Sequence, residues 1–241
     1  MKRSFLFGFL LVACAGLALG EQLKLVSTSP QFWATNVNPS ERMISLTFDQ
    51  KLRSTLTDWI GLDVLSPPSD LQTKYSSDHM SCSIGVHLDP GHVYICALNG
   101  RGIPGVGFQN EKGFVLPPTF LVFQTAGNAA PQDAPPRVLR TMPQHGTAAL
   151  DSRRMQSISI TFDKPMNVKT HGLRIFEDNN PVDISKTQFA YSADGMTLTL
   201  AYPFKPAKQY RCDLNDIHNI GFASANRVPL WPVQLSFSTA Q

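Results

Sequence analysis

The sequence predicts an all-β chain made of two tandem copies of one β-sandwich. Two observations predict it: a repeat with a nearly constant offset, and apolar residues that alternate with polar ones. Ile44–Asp49 returns as Ile158–Asp163, and Tyr94–Asn99 returns as Tyr210–Asn215. Phe123–Ala126 likewise returns as Phe237–Ala240 near the end of the chain. Such regular offsets across most of a chain indicate a duplicated structural unit.

Alternation with a period of two dominates each copy. Met80, Cys82 and Ile84 alternate with Ser81 and Ser83, which places one face of a strand in a core and the other in water. The same runs are rich in the β-branched and aromatic residues that strands favour. No window carries an apolar stripe of helical period, so we expect strands throughout.

About seven strands are expected in each copy, the number found in an Ig-like sandwich of two antiparallel sheets. In copy one the pattern predicts strands near residues 23–28, 43–48, 60–65, 71–76, 80–87, 92–98 and 119–125. In copy two it predicts strands near residues 137–141, 156–162, 172–177, 182–190, 195–201, 208–214 and 233–239. We assign copy one to residues 21–127, a short Ala- and Pro-rich linker to 128–135 and copy two to 136–241.

Residues 1–20 are typical of a secretory signal peptide that is cleaved after Gly20, with a basic start and an apolar run. An alternative stays open, because Leu11–Cys14 resembles a lipoprotein box in which Cys14 would carry a lipid anchor. The apolar run is too short for a transmembrane segment. The expected location is the periplasm or the outer envelope and extracellular space, for a freely soluble protein or a lipoprotein.

The charge balance gives no reason to expect a nucleic acid partner. The formal net charge is +3, but removal of the signal peptide takes away Lys2 and Arg3. The 21 basic residues then fall to 19 against 18 acidic ones, so the mature net charge is +1. No basic patch or charge block remains that would favour nucleic acid or an anionic surface.

The order of the motifs resembles that of bacterial Ig-like domains of the S-layer type. The opening pattern is matched by Val26–Pro30, Ala34–Val37 and the strand Ile44–Asp49. A later Leu-x-Pro-Gly-x-x-Tyr feature is matched by Leu88–Tyr94, and its counterpart in copy two is Phe204–Tyr210. The resemblance implies the sandwich fold and a role as a spacer or interaction module of bacterial surface and periplasmic proteins. It implies no common catalytic residues.

Three cysteines remain in the mature chain, and two of them are candidates for a disulfide. Cys82 and Cys96 lie 14 residues apart on neighbouring strand runs, both in phase with core positions. The repeat supports the alternative of buried free thiols, because Cys212 occupies the position of Cys96 while Leu198 occupies that of Cys82. Both interpretations stay open at this point.

Several motifs partly resemble cofactor- or metal-binding sites, but each lacks a feature that such a site requires. Gly100–Gly105 has the spacing of a dinucleotide-binding loop, but no helix start or βαβ unit follows it. Asp213–Asp216 offers oxygen ligands for calcium, although too few for its usual shell. His79, His87 and His92 suggest the copper carriers that share this fold, but the ligand histidine at their mature N-terminus is absent here. We expect no enzyme activity, no catalytic residue, no metal and no cofactor.

Three tryptophans are candidates for contact with a partner: Trp33, Trp59 and Trp231. The alternative is that they fill a core or cover an edge. The sequence as a whole favours a non-catalytic exported protein that acts as a structural, adhesive or docking module of the cell envelope. Its partner would be another envelope or surface protein, bound through loops or exposed sheet edges. The alternatives are a periplasmic ligand or metal carrier of the copper type and a fragment similar to the macroglobulin-like domains of bacterial protease traps.

Overall fold

The structure is a computed structural model that describes residues 22–53, 59–61, 65–99 and 107–241. The side chains of 59–61 are not part of that description. The predicted signal peptide, Cys14 and the glycine motif at 100–105 lie outside the described residues, so the predictions made on them stay predictions. Within the described part of the chain, all regular secondary-structure elements are β-strands. The predicted all-β fold class is confirmed.

Each copy holds eight strands among the described residues. Those of copy one are β1 (Leu25–Ser29), β2 (Ala34–Val37), β3 (Met43–Phe48), β4 (Trp59–Gly61), β5 (Ser69–Tyr75), β6 (Ser81–Val86), β7 (Val93–Leu98) and β8 (Thr119–Thr125). Those of copy two are β9 (Val138–Met142), β10 (Ser157–Phe162), β11 (Leu173–Glu177), β12 (Asn180–Val182), β13 (Phe189–Tyr191), β14 (Thr197–Ala201), β15 (Gln209–Leu214) and β16 (Val233–Ser238).

Two four-stranded sheets form each copy. Their orders are β1-β3-β6-β5 and β2-β8-β7-β4 in copy one, and β9-β10-β14-β13 and β12-β11-β15-β16 in copy two. All strand pairs are antiparallel except β2 with β8, which is parallel. This distribution of strands between two facing sheets is that of an Ig-like sandwich.

The repeated strand pattern explains the two cores. In β3, Ile44, Leu46 and Phe48 point inward and are almost fully buried, and the equivalent residues of β10 are buried to the same degree. Each core combines inward residues from both of its sheets. Burial of one such side chain stabilises the fold by about 1.5–3 kcal/mol, so the alternation fixes the register of each strand.

Two strand predictions were wrong. The stretch 34–37 is not among the predicted strands, yet it forms β2; it is short, irregular in register, and contains Asn36 at a positive φ of 61°. The single strand predicted over 182–190 is instead two strands in different sheets. Val182 pairs with Ile175 of β11, whereas Phe189 pairs with Leu200 of β14, so the chain crosses the sandwich between them.

Shared side-chain contacts fix equivalent turns in both copies. The Tyr94 hydroxyl accepts a hydrogen bond from the Asp89 N–H at 2.7 Å, and the Tyr210 hydroxyl accepts one from the Lys205 N–H at 2.9 Å. The carboxylates of Asp49 and Asp163 each accept a main-chain N–H at 2.8 Å from the strand that opens their copy. These aspartates therefore have a structural role in both copies.

The linker lies against copy two. The Lys164 ammonium donates to the carbonyl oxygens of Pro131 and Ala134, both at 2.7 Å. The Asn226 amide adds a contact of 3.3 Å to the carbonyl of Gln132. These bonds hold the turn at residues 130–134 in one place relative to copy two.

Candidate functional site

The outer face of one sheet in copy one is buried by copy two. In β7, Tyr94, Cys96 and Leu98 face the core of copy one, while Val93 and Ile95 face the other way and are still only 2% and 4% exposed. An apolar cluster covers this outer face and includes residues of both copies: Leu65, Val93, Ile95, Val122, Val228, and at its margin Trp33, Phe120, Ile220 and Trp231. The strand is thus buried on both faces because a second domain packs on it.

Two of the three candidate tryptophans meet in this interface. The rings of Trp33 and Trp231 pack edge to face with centroids 5.6 Å apart, and the Trp231 indole N–H donates to the Trp33 carbonyl at 2.8 Å. Both were candidates for contact with a partner, with core filling or edge covering as the alternative, and in the structure they contact each other between the two copies. The main chain of Trp59 lies in β4, but its side chain is outside the described residues.

A tight turn of copy two inserts beside β8 of copy one. The Phe120 N–H donates to the Ile217 carbonyl at 2.7 Å, and His218 Nδ1 lies 2.9 Å from the Pro118 carbonyl, so this nitrogen carries the proton. The turn occupies a groove between β1 and β8 that is lined by Leu25, Phe32, Leu116, Pro117 and Thr119. We call it the copy-one groove; the space left beside the turn is about 240 Å³.

The inserted turn is held in shape by its own side chains. The Asp216 carboxylate accepts hydrogen bonds from the N–H groups of His218 and Asn219 at 2.7 and 2.8 Å. The same carboxylate pairs with the Arg174 guanidinium, which also lies 3.9 Å from the Asp213 carboxylate. Asp213 also pairs with Arg211 at 3.2 Å, so both carboxylates among the candidate calcium ligands are paired with arginines, and the turn reaches the copy-one groove pre-organised.

A buried asparagine closes the loop before the last strand of each copy. In copy one the Asn99 amide donates to the carbonyls of Phe108 and Leu116, both at 2.9 Å, and its oxygen accepts the Phe108 N–H. In copy two Asn215 makes the same three bonds with Phe222 and Leu230. A sequence signal for this role is present in the Leu-Asn that ends the equivalent strand of both copies, although 213–216 suggested only oxygen ligands for calcium.

The three cysteines among the described residues, Cys82, Cys96 and Cys212, are free thiols in the structure. Cys82 lies in β6 and Cys96 in β7, which belong to opposite sheets, so the candidate disulfide between them is not formed. All three side chains are buried, and desolvation raises the pKa of each thiol to about 12. The residues are therefore neutral and act as small apolar groups.

The described residues hold no group of three or more His, Cys, Asp or Glu side chains that could bind a metal ion. Of the histidines weighed for copper, His79 lies beside the Tyr75 ring and His92 beside the Tyr94 ring. In the part of the chain that the structure describes, no helix has the length and apolar character needed to cross a membrane.

Copy two has a groove at the position equivalent to the copy-one groove. This copy-two groove lies between β9 and β16, has a volume of about 480 Å³, and its lining includes Val138, Arg140, His145, Leu230, Trp231 and Val233. Trp231 also belongs to the interface with copy one, so the groove adjoins that interface. In the described chain no turn occupies it.

The comparisons with known proteins agree with the fold. Residues 132–239, which span copy two, match the model of the family described as Bacterial Ig-like domain. No curated protein matches the chain. The matching residues and the strand order of both copies identify this chain as a tandem of Ig-like domains; nothing in the match distinguishes the S-layer type.

Several solved structures are similar to this chain at low identity. The titin domains Z1Z2 in complex with telethonin are 10% identical, with 92% of this chain and 97% of that chain covered and a TM-score of 0.26. A chimeric titin Z1Z2–Z1Z2 tandem is 8% identical, with 90% and 98% covered and a TM-score of 0.33. The structure of Rst D1-D2 is 10% identical, with 91% and 100% covered and a TM-score of 0.27.

Proposed function

We propose that this protein is an exported bacterial module with two Ig-like domains that spaces or docks other proteins in the cell envelope. The observation that carries the proposal is the interface between the copies. An apolar cluster, a tryptophan pair and an inserted turn fix one domain against the other, as a spacer or docking platform requires. Ig-like domains are typically structural or adhesive and non-enzymatic, which supports the same role.

Export is supported by the predicted signal sequence, and the three unpaired, buried thiols are compatible with it. A thiol whose pKa is raised to about 12 is a poor nucleophile, so these residues tolerate an oxidising compartment without forming disulfides. The mature start at Glu21 and the lipidated start at Cys14 remain two forms of the same proposal, because both deliver the tandem to the envelope.

The test is to express the full chain in a bacterium with a C-terminal epitope and to fractionate the cells. We expect the protein in the envelope or periplasmic fraction. The mass of the mature N-terminus distinguishes Glu21 from a lipidated Cys14. Cross-linking in the intact envelope should then join the protein to a second envelope protein. Recovery of an uncleaved chain from the cytoplasm alone would contradict the proposal.

The metal-carrier alternative has its own readout in the same preparation. Protein purified without chelators is assayed for copper and other transition metals by mass spectrometry. A spacer or docking module should carry far less than one metal per chain. A content of about one metal ion per chain would contradict the docking function and support a metal carrier.

A further inference from the structure

The two grooves correspond position by position. In the copy-one groove the inserted turn is bound by the N–H of Phe120 and the carbonyl of Pro118. The offset of 114 places Gln234 and Pro232 at these positions in copy two. The copy-two groove therefore keeps the main-chain donor and the proline carbonyl that bind a turn in copy one.

The Gln234 N–H points toward the open side of the sheet. Two residues further along, the Ser236 N–H donates to His145 Nδ1 at 3.1 Å, and the Ser236 carbonyl accepts from the Gly146 N–H at 2.7 Å. The main-chain groups of Ser236 are thus directed away from β15. Alternate residues of a strand direct these groups to the same side, so the Gln234 N–H is directed as the Phe120 N–H is.

The side chains around the copy-two groove differ in charge from those of copy one. Arg140 stands where copy one has Ser27, and His145 stands where it has Phe32. Arg137 and Arg140 are exposed, and the structure records no ion pair for either among the described residues. Beside them Leu139 is 65% exposed, and its counterpart Val26 is 64% exposed. The groove thus combines an apolar wall with a cationic rim.

We propose that the copy-two groove binds an acidic turn of a partner protein. A main-chain carbonyl of that turn accepts the Gln234 N–H, and a carboxylate pairs with Arg140. Two observations select this occupant: the equivalent groove holds a turn, and Arg140 adds a positive charge where copy one has the neutral Ser27. The inference rests on the proposed docking function and names its site, but the binding itself can be measured on the purified chain.

The probe is a cyclised peptide with the sequence of residues 213–222. This segment is the turn that the copy-one groove holds, and it carries the carboxylates of Asp213 and Asp216 without any lysine or arginine. The isotope-labelled mature chain is titrated with it and followed by amide NMR. We expect saturable shifts of the Gln234 amide and the Trp231 indole. The Phe120 amide should stay unchanged, because the chain's own turn occupies the copy-one groove.

Matched variants test the charge. Arg140→Glu should lower the affinity for the peptide by about tenfold. Ser27→Glu, at the equivalent exposed position of copy one, should leave that affinity unchanged. A peptide with Asp213→Lys should also lose affinity while it keeps the Asp216 turn. Absence of shifts at millimolar peptide, shifts centred on Phe120, or binding that survives Arg140→Glu would each overturn the proposal. None of these outcomes depends on export, so a failure here is distinct from a failure of the proposed function.

Discussion

The same sheet face is apolar in copy one and polar in copy two. Ile95 and Val122 of copy one pair across β7 and β8, and both are buried under copy two. Their counterparts Arg211 and Ser236 pair across β15 and β16 and remain partly exposed. Arg211 lies over the Phe176 ring at 3.9 Å instead of contacting another domain. The equivalent sheet is thus an interface in copy one and a partly exposed surface in copy two because a few outward side chains differ.

This comparison separates two kinds of positions. Inward positions match between the copies, because both cores need the same apolar packing. Outward positions differ, because only copy one has a neighbour on this face. Changes at shared positions should affect both copies alike, and changes at unshared positions should affect the interface alone.

The largest expected effect is at the shared asparagines. Asn99→Ala removes three buried hydrogen bonds, two of them to Phe108 and one to the Leu116 carbonyl, which should lower the free energy of unfolding by about 3 kcal/mol. Asn215→Ala should have a similar effect in copy two. Urea denaturation measures both, with the exposed Asn180→Ala as a control that should change stability by less than about 0.5 kcal/mol. A loss below about 1 kcal/mol at either site would contradict the shared role.

The next effect tests the unshared face. Ile95→Arg with Val122→Ser gives copy one the residues that copy two carries, and it should abolish the interface while both sandwiches stay folded. The loss of two buried side chains weakens domain packing by about 3 kcal/mol. X-ray scattering should show a larger radius of gyration with an unchanged far-ultraviolet circular dichroism spectrum. The reciprocal change of Arg211→Ile with Ser236→Val should leave the radius of the monomer unchanged.

A smaller effect should appear at alkaline pH. Burial raises the pKa of the thiols of Cys82, Cys96 and Cys212 to about 12, above the ordinary value of 9.0. Their stabilisation is complete below pH 9 and is lost as the pH rises toward about 12, since the unfolded thiols ionise first. Copy one carries two of them and should lose more stability at pH 10 than copy two. Cys82→Leu, the residue of copy two, should reduce that difference in urea midpoints measured between pH 8 and 10.

The smallest effect is expected at Trp33. This residue holds a φ of 59°, where copy two has Gly146 at 80°. Trp33→Gly relieves a left-handed strain of about 1 kcal/mol, but it removes a ring contact of about 1 kcal/mol with Trp231 and the burial of a half-buried ring, which is worth about 1 kcal/mol more. Stability at 25 °C should therefore fall by only about 1 kcal/mol. A large loss would show that the ring contributes far more to the interface than a single aromatic pair.

The sequence was sufficient for the fold because its signal is local and repeated. Alternation around Cys82 and Ile84 predicted a buried face, and the structure confirms it in β6. It failed at 34–37, where a short strand carries a left-handed asparagine, and at 182–190, where one apolar stretch serves two sheets. Periodicity cannot report a change of sheet, because the spacing of apolar residues continues across it.

The interface was harder to predict for a different reason. Strand β7 is apolar on both faces, because its outward positions are Val93, Ile95 and Ala97. The sequence pattern alone does not show whether such a strand is buried inside one sandwich or against a second domain. The signal that could have found it was the comparison with Gln209, Arg211 and Asp213 in copy two. Partner residues such as Ile217 and His218 lie about 100 positions away, and nothing local connects them to β8.

The indole contact between the copies gives the protein an internal optical reporter. The Trp231 N–H is bonded to the Trp33 carbonyl, and the ring is half-buried against the other copy. Separation of the copies would expose this indole to water, shift its emission to longer wavelength and accelerate exchange of its proton with deuterium. In a Trp59→Phe background, the emission wavelength of the two remaining tryptophans would follow any stretching or bending of the tandem without an added label. The deuterium exchange rate of the Trp231 indole proton would follow it as well.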